Sequence, residues 1–231
     1  MRRNHVPHGM ANLIKSLLKE PKGEVIAALF SILSRCQKPS DFRESWLPIK
    51  NSISRNHPNL CCIFNQICCL LYESDQFDEN APSAVAELIL ESFEPRQIKK
   101  RLPGTGQTHS QGPAKIEDLQ GGVIDTAETG SGNRDFDVVW YKTLSSHVPT
   151  IVGGWGLEIK LNVANYIRDP AFERKLRYMQ LIARTVQNWT SMVVTVRSVG
   201  LSVDFPEYVR EVGADGIKLI SSLELFERVY R

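Results

Sequence analysis

Residues 153 to 162 read "GGWGLEIKLN", and the last seven of them alternate as a β-strand does. Leu157, Ile159 and Leu161 fall on one side, while Glu158, Lys160 and Asn162 fall on the other. The pattern predicts one buried face and one charged face. A charged strand face is ordinarily left in water, where it costs nothing, so the meaning of Glu158 and Lys160 depends on their neighbours. The preceding "VGGWG" (152–156) reads as a glycine-rich loop that lets a phosphate backbone approach closely.

Working outward, "FDVVWYK" (136–142) is a second strand in which Asp137 immediately precedes an apolar run and shares a face with Val139 and Tyr141. The segment "TLSSHVPTIVGG" joins the two strands. If they pair antiparallel, Asp137 and Glu158 lie side by side with Lys160 one step further on. Two carboxylates and one ammonium on adjacent strands make a site for a hard divalent cation. Mg²⁺ suits it best, because that ion is held by one or two carboxylates and completes its shell with waters and substrate phosphate oxygens. Asp135 lies on the same face and competes with Asp137, which abuts the apolar run directly.

Glu-x-Lys occurs three times in the chain. Glu20-Pro21-Lys22 holds a proline in a helix-turn context, and Glu173-Arg174-Lys175 opens a long helix. Only Glu158-Ile159-Lys160 occupies an apolar strand that follows an Asp-led strand.

Downstream the pattern alternates. "DPAFERKLRYMQLIARTVQ" is a helix, with Asp169 as N-cap and Pro170 at its first position. It is followed by "SMVVTVRS" (strand), "FPEYVREVG" (helix), "GIKLIS" (strand) and "SLELFERVYR" (helix). Alternation of this kind predicts an α/β arrangement with parallel pairings after the first hairpin. Upstream, "GEVIAALFSILSRC", "SDFRESWLPIKNSI", "NLCCIFNQICCLLYE" and "SAVAELILESFEP" carry helical periodicity between Pro, Asn and Asp breaks. The expected organisation is a helical region at 1–95, whose last helix joins the core, a basic glycine-rich linker at 96–135, and an α/β core at 136–231. Within the linker, "GTGQTHSQG" lacks the Gly-Lys-Ser/Thr of a phosphate-binding loop, and "GGVIDT" is the one candidate strand.

Composition sets outer bounds. In 231 residues, 42% hydrophobic and 23% charged, a substantial core can form, and a net charge of +2 requires any basic surface to be local. Cys61, Cys62, Cys68 and Cys69 are too widely spaced for one zinc, since seven residues of helix span about 10 Å and each thiolate must lie about 2.3 Å from the metal. They read as free thiols in an apolar helix. No apolar run of about 18 residues occurs, and the first twenty residues lack the pattern of a secretory signal. The expectation is a soluble protein of the cytoplasm of a prokaryotic cell, with no membrane partner.

Asp137, then Glu158-Ile159-Lys160, then a helix and a further strand resembles the PD-(D/E)xK nuclease superfamily of restriction enzymes, junction resolvases and repair nucleases. The likeness covers roughly residues 80 to 200 and is one of motif order and element order. Phe136 stands where a proline often precedes the aspartate. The resemblance implies an α/β (α+β) fold of restriction-endonuclease type, a mixed central sheet flanked by helices. It also implies Mg²⁺, with Mn²⁺ able to substitute, held by Asp137 and Glu158 and joined by Glu87 or Glu91 from the first helix of the core. Lys160 would orient the attacking water and neutralise charge on the phosphate, leaving 5′-phosphate and 3′-hydroxyl ends. The activity implied is that of an endodeoxyribonuclease acting on double-stranded DNA as a homodimer, foremost a sequence-specific type II restriction endonuclease. A structure-specific resolvase or repair nuclease is the alternative, as is a non-catalytic DNA-binding subunit.

Candidate DNA contacts are the arginines of the helix after the catalytic strand, Arg174, Arg177 and Arg184, with Tyr178 and Gln180 in supporting roles. To these are added Arg96, Lys99, Lys100 and Arg101 of "RQIKKR", whose charge would bind phosphate by releasing counterions, and His147 in the loop between the two strands. His5, His8, His57 and His109 show no ligand spacing.

Overall fold

The computed structural model describes residues 5–19, 23–73, 77–92, 106–116, 135–144, 150–197 and 204–230. Over these residues the elements are α1 (Met10–Lys19), α2 (Gly23–Arg35), α3 (Pro39–Asn56), α4 (Pro58–Tyr72), α5 (Ala81–Ser92), β1 (Gln107–Gln111), β2 (Val138–Leu144) and β3 (Thr150–Lys160). A 3-10 turn (Val163–Tyr166) leads to α6 (Pro170–Thr185), β4 (Trp189–Thr195), α7 (Phe205–Glu211), β5 (Lys218–Ser221) and α8 (Ser222–Tyr230). The chain is mixed α+β, and its helices flank one mixed sheet.

Strand order follows chain order, β1-β2-β3-β4-β5. The first two junctions are antiparallel and the last two parallel, so the hairpin expected from the sequence is followed by the expected parallel pairs. Parallel pairing needs a crossover, which α6 supplies between β3 and β4. Asp169 caps α6 by accepting a hydrogen bond from the Ala171 N–H at 2.8 Å, and Pro170 occupies the first turn, where its missing donor is not needed.

Helices cover both sheet faces, and this corrects the reading of β3 as buried on one side and charged on the other. On one face Val138, Trp140, Leu157, Ile159 and Val194 merge with the apolar sides of α1, α2, α4, α5 and α8 in one continuous core. Trp140 is fully buried there, and its indole N–H donates to the Leu90 carbonyl of α5 at 3.2 Å. On the other face Phe136, Val139, Trp189 and Val193 pack against α6 and α7. Glu158 and Lys160 point into this second layer, not into open water.

Two stretches read as loops are strands. "VGGWG" lies within β3. Its glycines are required by aromatic rings lying on the strand: a Cβ at Gly156 would stand 2.5 Å from the Phe136 ring, and one at Gly154 would stand 2.4 Å from the Trp189 ring. No open glycine-rich loop exists there for a phosphate backbone to approach. The second is "QTHSQ", taken as linker, which forms β1 at the sheet edge and is tied to β2 by its backbone. Polar and only partly covered, β1 carries no apolar period for a sequence reading to detect. His109 of β1 stacks on Tyr141 at 4.9 Å and hydrogen-bonds Thr143 at 3.0 Å.

Cys62 and Cys69 are exposed on α4 while Cys68 is buried, and all the described cysteines are free thiols. Among the described residues no helix is long and apolar enough to cross a membrane.

Candidate active site

The site forms where the antiparallel β2–β3 ladder comes apart. Asp137 stands just ahead of β2, and its N–H donates to the Leu157 carbonyl at 2.9 Å. Its Oδ2 accepts the Ile159 N–H at 2.7 Å, taking the part of a ladder carbonyl. The backbone of β3 therefore orients this carboxylate. With Val138 opposite Leu157, Asp137 leaves the regular ladder one residue before β2 and is tied to the β3 backbone on either side of Glu158.

Glu158 is buried, with 4% of its side chain exposed. Its Oε1 meets Lys160 Nζ at 2.5 Å, and its Oε2 lies 3.3 Å from Lys175 Nζ. Lys160 is 13% exposed, with its ammonium 4.9 Å from the centre of the Tyr166 ring and 5.8 Å from that of Phe172. Lys175, 7% exposed, reaches from α6 to the Asp135 carbonyl oxygen, and its Nζ lies 3.6 Å from Asp135 Oδ1. Glu158 and Lys175 are thus buried together between sheet and helix, with Lys160 and the partly exposed Asp135 at their edge.

A buried ion pair repays its desolvation poorly and is often no more stable than apolar packing of the same volume. Such a cluster is therefore weakly explained by stability alone, and buried charge in a site of this kind is where function concentrates. In kind and number the oxygen donors of Asp137 and Glu158 fit a hard cation that keeps part of its water shell. Each Glu158 oxygen faces an ammonium, so such a cation would stand where one of those positive charges now is. Among the described residues, no three His, Cys, Asp or Glu side chains converge as a cation's ligands.

Lys175 was not among the residues singled out from the sequence, although a signal for it existed. It falls three residues after Phe172 and four before Met179, inside the apolar stripe of α6, and a lysine in such a stripe needs a buried partner. The Glu173-Arg174-Lys175 tripeptide, set aside because it lies on a helix, supplies that lysine.

Other expected residues are placed as follows. Glu87 is buried on α5. Glu91 is half-buried, and its carboxylate fills the space a Cβ on Gly112 would need. Both belong to the layer across the sheet from Glu158, with Glu91 at the end of β1 nearest the start of β2. On α6, Arg177 and Arg184 are exposed and Arg174 is half-buried. Arg177 also donates to the Val212 carbonyl at 3.2 Å and lies 3.8 Å from Glu173. Tyr178 and Gln180 serve packing instead of facing outward: the buried Tyr178 hydroxyl accepts from the Ile116 N–H at 3.4 Å, and Gln180 donates to the Asp215 carbonyl at 2.9 Å. Arg96, Lys99, Lys100, Arg101 and His147 lie outside the described residues.

No protein-family model, curated protein or solved structure matches this chain.

Proposed function

We propose that this chain is a Mg²⁺-dependent endodeoxyribonuclease of the PD-(D/E)xK kind, cutting double-stranded DNA, with sequence-specific restriction as its first use. The observation that carries the reading is Asp137 tied to the β3 backbone on either side of Glu158, with Lys160 in contact with Glu158. The order β2-β3-α6-β4, a strand opened by Asp137, the Glu158-Ile159-Lys160 strand, a helix and a further strand, is the element order of the resemblance and supports it.

When bound, the metal polarises the scissile phosphate and lowers the pKa of a bound water. The chain's own residues do the rest. Asp137 and Glu158 hold the cation; Asp137 is aimed by the Ile159 N–H, so little side-chain freedom is lost when it binds. Lys160, once released from Glu158, orients the attacking water and offsets charge gathering on the phosphate, and Tyr166 and Phe172 bound the space through which its ammonium moves. Arg174, Arg177 and Arg184 lie on the helix that follows the catalytic strand and are the described candidates for backbone phosphates. With one such site per chain, a two-fold homodimer would cut both strands.

A second reading has an observation of its own. Both Glu158 oxygens already carry an ammonium, as a purely structural charge cluster would, and a non-catalytic DNA-binding subunit would need nothing more. Plasmid incubated with Mg²⁺, beside an EDTA control and Lys160→Ala, separates the two. Discrete fragments lost with EDTA and with the variant are expected, and cleavage confined to branched DNA would make the enzyme structure-specific. No cleavage of methylated, unmethylated or branched DNA would overturn the enzyme reading.

A further inference from the structure

Glu158 is flanked by two lysines that differ in everything except charge. Lys160 comes from the same strand, two residues on, and is the more exposed of the pair. The Tyr166 and Phe172 rings beside it give its ammonium a favourable place to rest when it leaves the carboxylate. Lys175 comes from another element. It contacts Glu158 on one side and the Asp135 carbonyl on the other, and α6 holds its stem in the apolar layer with Leu176 and Met179. To leave Glu158 it would have to abandon the Asp135 carbonyl as well, or strand a buried charge.

We infer that Lys175 is a positioning residue: it fastens Glu158 through Oε2, and Asp135 through its main chain, so that Oε1, vacated by Lys160, is the oxygen turned to the metal. Asp135 and Phe136 lead directly into Asp137, so a single ammonium on α6 sets the spacing between the two carboxylates that hold the cation. The inference rests on the nuclease reading above. It adds to that reading a division of labour between the lysines, one exchangeable and one permanent.

Electrostatics alone makes the opposite prediction, which is what makes the idea testable. Removing either cation leaves Glu158 more negative, and by Coulomb attraction alone a divalent ion should then bind more tightly. If Lys160 merely competes for Oε1, Lys160→Met follows that rule. If Lys175 positions the site, Lys175→Met breaks it, because lost outer-shell support typically costs 10- to 100-fold in metal affinity. A role in stability only would lower the melting temperature and leave the affinity of the folded protein unchanged.

The experiment is Mn²⁺ binding to the full chain, read by electron paramagnetic resonance of the free ion and by calorimetry, well below the melting temperature of each variant. Expected are measurable binding to the wild type, tighter binding to Lys160→Met, and binding at least about tenfold weaker to Lys175→Met. Lys175→Gln, safer for folding because it keeps one donor toward Glu158, should fall between the wild type and Lys175→Met. Folded Lys175→Met or Lys175→Gln binding Mn²⁺ as tightly as wild type, or more tightly, overturns the inference while leaving the nuclease reading intact. Wild-type protein that neither binds Mn²⁺ nor cuts DNA overturns both.

Discussion

The two faces of the central sheet are made from the same strands, residue by residue in alternation, yet they meet their helices on different terms. Val138, Trp140, Leu157, Ile159 and Val194 present the α5 side with a largely apolar surface, although Glu87 of α5 and Lys142 of β2 are buried as well. On the α6 side, Phe136, Val139, Trp189 and Val193 form a comparable patch, but beyond it Glu158, Lys160 and Lys175 are buried together. The first face is built mainly by hydrophobic burial. The second accepts the desolvation of several charges within a few ångströms of good apolar packing. What sets the second face apart is how closely its charges are gathered around one carboxylate, Glu158. The difference also shows that period-2 alternation can separate two faces without telling which of them is wet.

The largest effect expected is on the apolar face. Trp140→Ala should cost about 3–5 kcal/mol in urea unfolding, while the protein that remains folded keeps the cleavage proposed for it. On the charged face the effect should fall on chemistry instead. Lys160→Met should lower the cleavage rate by about 10²- to 10³-fold, the equivalent of about 2.7–4 kcal/mol, with a smaller loss of stability than Trp140→Ala; a variant that cuts normally would erase the contrast between the faces.

Gly156→Ala tests where the faces meet the strand, because its Cβ would stand 2.5 Å from the Phe136 ring, directly before Asp137. A loss of about 1–3 kcal/mol is expected, read by thermal or urea unfolding. Smaller still is the coupling between Glu158 and Lys175. A double-mutant cycle with Glu158→Leu and Lys175→Met should return an interaction of about 0.5–3 kcal/mol, and the double variant should be more stable than the sum of its singles, because the buried Lys175 charge is removed together with its carboxylate.

The smallest effect concerns the helices behind the apolar face. Partial desolvation and the neighbouring Glu73 carboxylate push the Cys69 thiol up to about 11, and burial raises the Cys68 thiol. A raised thiol pKa means that the reactive thiolate is scarce at neutral pH. In an Ellman assay of the folded protein, Cys62 should react first, Cys69 should quicken only as pH climbs toward 11, and Cys68 should wait for unfolding. Cys68 reacting as fast as Cys62 would mean that the α4 layer is not the closed core described.

Much of this was written locally in the chain. The start of α6 follows from Asp169 and Pro170, because a cap and a fixed φ need no distant partner. The pairing of β2 with β3 follows from two alternating runs joined by a short connection. What the sequence did not disclose had no local signature. β1 is polar and is held by backbone bonds to a neighbour, which leaves no period to read. The "VGGWG" glycines looked like a loop because composition records a missing side chain and cannot record the ring of Phe136 or Trp189 that takes its place.

By itself, then, the sequence determined the order of helices and strands from β2 onward and the antiparallel-then-parallel pairing of those strands, and it singled out Asp137, Glu158 and Lys160 as candidates, all from short-range pattern and chain connectivity. Only the tertiary structure decided that α6 closes over the charged face, that Glu158 is dry, and that Lys175 shares it. The sequence places Lys175 within the apolar stripe of a helix, but which carboxylate answers it depends on how that helix lies across the sheet, a matter of packing between elements far apart in the chain.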